Sequence, residues 1–318
     1  MRNTFAETLA DLAEQDERIW LLCGDLGYSV LERFSERHPN RYVNVGVAEQ
    51  NMVGVAAGLA LSGKIVFTYS IANFPVMRCL EQLRTDVCYH NLSVKTVAVG
   101  GGLAYGTNGY THHGVEDIGV MRAFPNMTVV APGDPVEARL ATAALVAQDG
   151  PAYLRLGKGG EPTVHQTPPD FRLGRALPLR EGDDVAILAT GAILAEAVKA
   201  ADLLAQQGIH ATLLSMPTIQ PLDTEAILAT AARAPLLVTV EEHRPVGGLA
   251  SAVAETLACA PGEHARLLPC GVTISPKVIG GGAYLRERNG LDAAHLAQTI
   301  AQALAGERVA HVLHSGGA

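Results

Sequence analysis

Short apolar runs rich in valine, isoleucine and leucine punctuate the chain at Ile19–Cys23, Lys64–Thr68, Val94–Val99, Thr128–Ala131 and Ala152–Leu156. They do not alternate polar with apolar, and Gly, Pro, Asp or Asn stands at their borders. That pattern predicts strands buried on both faces, as in a parallel sheet covered by helices. Between the runs the spacing turns helical. Phe5–Glu14 carries Leu9, Leu12 and Ala13 on one face, with Thr4 in the N-cap position. Val47–Leu61 is small and apolar nearly all round, which predicts a helix buried on every side. Pro135–Ala147 follows Asp134, with proline at the first helical position, where its missing N–H removes no bond.

The rhythm breaks near residues 157 to 183, a stretch rich in Gly, Pro and charge. Residues 161–182 are expected to link a first unit, 1–160, to a smaller second unit, 183–318. In the second unit the predicted order is strand Val185–Ala189, helix Leu194–Gln207, strand Ala211–Ser215, helix Thr224–Ala232 and strand Leu236–Glu241. Helix Gly248–Cys259, strand Arg266–Cys270 and helix Ala293–Ala305 complete it. The expected fold class is α/β: two doubly wound, parallel-sheet domains. The closing VAHVLHSGGA reads as a frayed tail.

Composition narrows the function classes. A chain of 318 residues exceeds what one core usually serves, and 48% hydrophobic against 18% charged residues is a globular balance. A net charge of -8 without a basic run argues against nucleic-acid binding. Five cysteines, with no CxxC pair and no spacing shared with histidines, point to buried free thiols rather than zinc ligands or disulfides. The N-terminal residues lack a signal-type apolar core, and there is no apolar stretch of membrane-spanning length. A cytoplasmic protein without membrane contact is expected.

The candidate chemistry sits in three blocks. The first runs Gly46-Val47-Ala48-Glu49-Gln50 into a helix of Gly, Ala, Val and Met, so that one carboxylate stands at the entrance of an apolar helix. The second, Ile71-Ala72-Asn73-Phe74-Pro75-Val76-Met77, leads into Arg78-Cys79-Leu80-Glu81-Gln82-Leu83-Arg84. The third is Gly106-Thr107-Asn108-Gly109-Tyr110-Thr111-His112-His113, followed by Glu116-Asp117 and Arg122-Ala123-Phe124-Pro125-Asn126-Met127. Two adjacent loop histidines without a third ligand make a poor metal site.

Together these blocks resemble the pyrimidine-binding domain of the transketolase group of thiamine diphosphate enzymes, and the likeness extends into a transketolase-type C-terminal domain. The resemblance implies that Glu49 hydrogen-bonds the aminopyrimidine ring nitrogen and promotes proton transfer from the thiazolium carbon. A carboxyl in an apolar setting suits that task, because desolvation favours its protonated form. It also implies that Phe74 stacks on the pyrimidine, with Ile71 and Met77 as apolar companions, and that Asp25 lies beside the cofactor. His112 would face the two-carbon unit, and Asn108 would stand where the family carries a sugar-reading aspartate. Arg2, Ser29 and Arg155 would meet the sugar phosphate. A family histidine falls on Gly100.

The Gly-Asp-Gly…Asn pair that holds diphosphate and Mg²⁺ in this family is missing. The resemblance therefore implies a separate diphosphate-binding subunit, an α2β2 assembly, and Mg²⁺ held mainly by that partner. The implied activity moves a two-carbon ketol unit from a ketose phosphate to an aldehyde. Alternatives are a 1-deoxyxylulose-5-phosphate synthase-like enzyme, a 2-oxo-acid dehydrogenase beta-type subunit, or a non-catalytic subunit that kept the fold. The block Val240-Glu241-Glu242-His243 with Gly247-Gly248 reads as structural.

Overall fold

The computed structural model describes residues 1–307 of the chain, so the tail VAHVLHSGGA lies outside the described residues. Twelve strands are present among them: β1 Ile19–Cys23, β2 Tyr42–Asn44, β3 Ile65–Ile71, β4 Val94–Val99, β5 Thr128–Val130, β6 Ala152–Leu156, β7 Leu177–Arg180, β8 Val185–Thr190, β9 Ala211–Ser215, β10 Thr218–Gln220, β11 Leu236–Glu241 and β12 Arg266–Cys270. One sheet runs β10-β5-β6-β4-β3-β1-β2 and the other β12-β11-β8-β9-β7. All pairings are parallel except β10 with β5 and β7 with β9, both at sheet edges. β4, β5, β6 and β8 are buried at every position, as their unbroken apolar runs require. Register sets Cys23, Tyr69, Val97 and Leu154 level across β1, β3, β4 and β6. The loops that follow these strands therefore emerge along one edge.

Three short strands escape the periodicity argument. β2 and β10 have three residues each and β7 has four, too few for a pattern to register. β7 lies inside 161–182 and pairs with β9, so the stretch expected to be a linker contains an edge strand. That stretch is also pinned to the first unit, where the Asp134 carboxylate caps the helix Pro135–Ala147 and accepts the Val164 and His165 amides at 2.8 and 2.9 Å. β10 crosses in the opposite sense, adding a strand from the second unit to the first sheet. One apolar cluster accordingly joins Met52, Val66 and Tyr153 to Leu188, Leu237 and Val253, packing the two units on a shared core.

Two helices depart from expectation. The first spans Arg2–Gln15 with Met1 at the N-cap, so Thr4 lies inside it. The helix Glu49–Leu61 buries Met52, Val53, Ala56 and Ala57 but leaves Gln50, Gly54, Val55, Gly58 and Leu61 exposed. Its apolar composition came from two faces with different neighbours, and only one of them is covered within this chain. Of the five cysteines, all free, Cys259 is exposed and the other four are buried. No helix among the described residues is long and apolar enough to cross a membrane.

Candidate active site

Ligand sites in open parallel sheets form beyond the carboxyl ends of the strands. Here that edge carries a row of side chains in the order the sheet dictates. Glu49 follows β2, Phe74 follows β3, Tyr105 and His112 follow β4, and Lys158 follows β6. Glu49 is the first residue of its helix and is 4% exposed. Its Oε2 accepts from Arg78 Nη1 at 3.1 Å. The same guanidinium lies 4.2 Å over the centre of the Phe74 ring. Phe74 meets the His112 imidazole edge-on at 5.2 Å, His112 lies 5.7 Å from Tyr105, and Lys158 Nζ stands 4.8 Å over the Tyr105 ring. Glu49, Phe74 and His112 are thus brought into one continuous line.

The flanking residues fill out this line unequally. Ile71 ends β3 and is half-buried, while Met77 ends the short helix Phe74–Met77 and is exposed. Asp25 sits beyond β1 in a left-handed conformation at φ 56°, where its Oδ1 accepts from Asn44 and Tyr28, both at 3.0 Å. Those donors hold its carboxyl below the ordinary range. Ser29, also left-handed, lines a shallow groove with Asn3, Glu7 and Arg33. Asn108 is exposed on the turn Gly106–Asn108, four residues before His112. The neighbouring His113 is buried, with Nε2 at 2.9 Å from the Gly106 carbonyl, so it braces the loop rather than facing outward.

Arg155 does not serve as an open phosphate ligand, and this corrects the sequence expectation. It is 4% exposed, its Nε donates to Asp117 Oδ2 at 2.8 Å, and its Nη2 donates to the Gly114 and Glu242 carbonyls at 2.6 and 2.9 Å. The cause is the docking of the second unit, which lays the Glu241-Glu242-His243 strand end over the end of β6. Each residue of that block has a bond of its own. Glu241 accepts the Leu249 and Ala250 amides and so caps the helix Leu249–Cys259, and Glu242 holds Arg286 at 2.6 Å. His243 accepts the Gly119 amide at Nε2, 3.3 Å, and Nδ1 donates to the Arg244 carbonyl at 2.6 Å. A second buried cluster, Asp134, Glu137 and His165, has the spacing of metal ligands. Its carboxylates are occupied by the Gly133, Glu137, Val164 and His165 amides and the His165 ring, which makes it a clasp for the 161–182 stretch.

Sequence reasoning missed Arg78, Tyr105 and Lys158. Arg78 belonged to a recognised motif but had no assigned neighbour. Tyr105 had one available signal, the glycine at Gly100: a Cβ there would fall 2.0 Å from the Tyr105 ring.

Comparison with known proteins follows the same lines. The family model for the transketolase pyrimidine binding domain matches residues 1–161, and that for the transketolase C-terminal domain matches residues 174–283. The chain is 43% identical over 296 residues to the 6-deoxy-6-sulfo-D-fructose transketolase subunit SqwH of Clostridium sp. strain MSTE9, covering 92% of this chain and 91% of that one. It is 42% identical over 258 residues to an apulose-4-phosphate transketolase subunit of Phocaeicola vulgatus, covering 80% and 83%. Among solved structures, a split gene transketolase in the form of an inactive beta4 tetramer superposes with a TM-score of 0.86 at 36% identity, covering 96% of this chain and 98% of that one.

Proposed function

This chain belongs to the transketolase family, as a subunit of a split transketolase, and from that premise we propose how it divides the labour with a partner. The reading is that the chain supplies the pyrimidine side of the active site, while a separate subunit holds the diphosphate and Mg²⁺ of thiamine diphosphate in an α2β2 assembly. The cofactor, when bound, supplies the carbanion chemistry by which a two-carbon ketol unit leaves a ketose and joins an aldehyde.

The observation that carries this reading is the pair of contacts made by Arg78. A planar, nitrogen-bearing group already lies over Phe74 and donates a hydrogen bond to Glu49. An aminopyrimidine ring fits the same place chemically, stacked on Phe74 and accepting through its ring nitrogen a proton shared from the Glu49 carboxyl. Arg78 is half-exposed, and the ring would take its place by displacing the guanidinium toward solvent. Glu49 would then hold a proton against the ring nitrogen, and Phe74 would fix the ring plane by stacking. His112, which packs against Phe74 and Tyr105, would donate to or accept from the hydroxyl and carbonyl of the two-carbon unit. The partner would seat against the bare face of the helix Glu49–Leu61, because a cofactor held by the partner must reach the entrance of that helix.

The donor is read as a ketose with an anionic far end. Two relatives support this, one named for a sulfonated and one for a phosphorylated sugar. Relatives matched over most of their own length are transketolase subunits, which favours ketol transfer over the decarboxylating and 2-oxo-acid alternatives. Mixing the purified chain with a partner subunit of the diphosphate-binding type, thiamine diphosphate and Mg²⁺ tests the division of labour. Transfer is expected only from the mixture. Turnover by this chain alone would overturn it.

A further inference from the structure

The loop that carries His112 is tied down from two directions. Toward the aromatic side of the site, Asn73 Nδ2 donates to the His113 carbonyl at 2.6 Å, which fastens the loop to the residue before Phe74. At its base the loop is closed by a bridge in which the Gly102 amide donates to the Gly114 carbonyl at 2.7 Å and the Gly114 amide donates back at 3.1 Å. The Gly114 carbonyl has a second donor, Arg155 Nη2 at 2.6 Å, and the same nitrogen reaches the Glu242 carbonyl of the second unit at 2.9 Å. Beside it, the Arg244 amide donates to the Val115 carbonyl at 2.8 Å. Arg155 is itself fixed. Its Nε donates to Asp117 Oδ2 at 2.8 Å, the Tyr153 hydroxyl donates to the same oxygen, and a Cβ on Gly101 would fall 2.6 Å from Nε. Asp117 opens the helix Asp117–Arg122 that follows the loop. Arg155, Tyr153 and Asp117 are all buried, and buried polar networks of this kind rigidify what they hold.

Resting on the transketolase reading, we propose that Arg155 is a positioning residue for His112: its guanidinium fixes the base of the histidine loop to the strand end of the second unit. The second unit thereby sets the reach of the imidazole without touching cofactor or substrate. Only a planar fork suits this task. A lysine ammonium is one point on a flexible stem and cannot hold the Asp117 carboxylate and the Gly114 and Glu242 carbonyls together. Gly101 is part of the same device, because a side chain there would push the guanidinium off its partners. The distances involved are small and their effect is large: misplacing a reacting group by about 1 Å can cost about 10²-fold in rate.

The test uses Arg155→Lys, which keeps a charge opposite Asp117, and Gly101→Ala, which displaces the guanidinium without altering it. In the reconstituted complex each should lower kcat by about ten- to a hundredfold while KM changes by less than about threefold. The loss should be equal for a ketose phosphate and for the same ketose without phosphate; a loss confined to the phosphorylated donor would mean direct contact and overturn the proposal. A double-mutant cycle supplies the readout that a merely structural role would not move. If Arg155 acts through His112, adding Arg155→Lys to His112→Ala should cost less than about twofold more in kcat. Full multiplication of the two losses overturns the proposal. The histidine resonances of the full chain, labelled with ¹⁵N, read the same tie without turnover. The His112 signal, assigned by its loss in His112→Ala, should move in Arg155→Lys and in Gly101→Ala. The signal of His38, whose ring bonds the Ala10 carbonyl of the first helix at 2.9 Å, should stay in place and so certify the fold. An unmoved His112 signal in both variants overturns the proposal. A moved signal, in a complex that transfers no ketol unit even as wild type, supports the tie and sinks the transketolase reading instead.

Discussion

Asn108 and Arg78 show how one side chain changes what the site asks of its ligands. An amide at Asn108 offers both donors and acceptors without charge, on an exposed turn four residues before His112. Asn108→Asp should cost the fold no more than about 0.5 kcal/mol, as surface changes do. If Asn108 reads the donor, the ratio of kcat/KM between two ketose phosphates differing only in the hydroxyl it faces should shift by about fivefold or more. An unchanged ratio would remove Asn108 from donor recognition. At this scale the sequence singled out Glu49, Phe74 and His112 because each stands in a dense motif, and the structure brings the three into one line. It misled at Arg155, because an arginine at the end of a strand looks the same whether its guanidinium meets solvent or Asp117 and two carbonyls. It was silent on Tyr105 and Lys158, whose contact depends on the loop after β6 and on the absence of a side chain at Gly100.

Helices and strands add constraints that no single residue reveals. The strand end Glu241-Glu242-His243 clasps the two units, and its histidine has been forced into the neutral state. Burial, the largest cause, pushes the His243 pKa down to about 4; the Asp117 carboxylate 3.9 Å away opposes this and Arg155 adds to it. Because the unfolded chain titrates near 6.5, it takes up a proton before the folded one as pH falls. The stabilisation is therefore complete above about pH 6.5 and is lost progressively toward pH 4, by up to about 3 kcal/mol. Urea midpoints of the wild type should fall across that window, and His243→Asn, less stable throughout, should show a shallower slope there. Identical slopes would mean that His243 does not set the acid limb. The long strands were readable because burial on both faces leaves an unbroken apolar run. β2, β7 and β10 were not, since edge strands of three or four residues are fixed by partners distant in sequence. The helix Glu49–Leu61 was half-readable: its composition announced burial on every side, but within this chain only one face is covered.

The whole molecule is two sheets welded by a common core, with a row of chemically unlike groups along one edge and no diphosphate-binding motif in its sequence. The strongest argument for a divided enzyme is that the chain matches split-transketolase subunits over most of their own length. The division was legible from sequence because the missing motif and the present one belong to the same catalytic cycle. The mutual arrangement of the two units was not legible, because it rests on β10 joining the other unit's sheet and on backbone carbonyls that accept Arg155. The central claim is that the Glu49 carboxyl acts on a cofactor held chiefly by another chain. A carboxylate at a helix start with only a dipole role contributes about 0.3–1 kcal/mol to stability and nothing to proton movement, whereas acid–base assistance is typically worth about 10²–10⁴-fold in rate. Glu49→Gln keeps the size and a hydrogen bond but cannot share a proton. The most direct measurement is hydrogen–deuterium exchange at the thiazolium carbon of thiamine diphosphate bound to the reconstituted complex, wild type against Glu49→Gln. Exchange in the variant should slow by at least about two orders of magnitude while the cofactor stays bound; an unchanged exchange rate in a folded, cofactor-loaded variant would contradict the account.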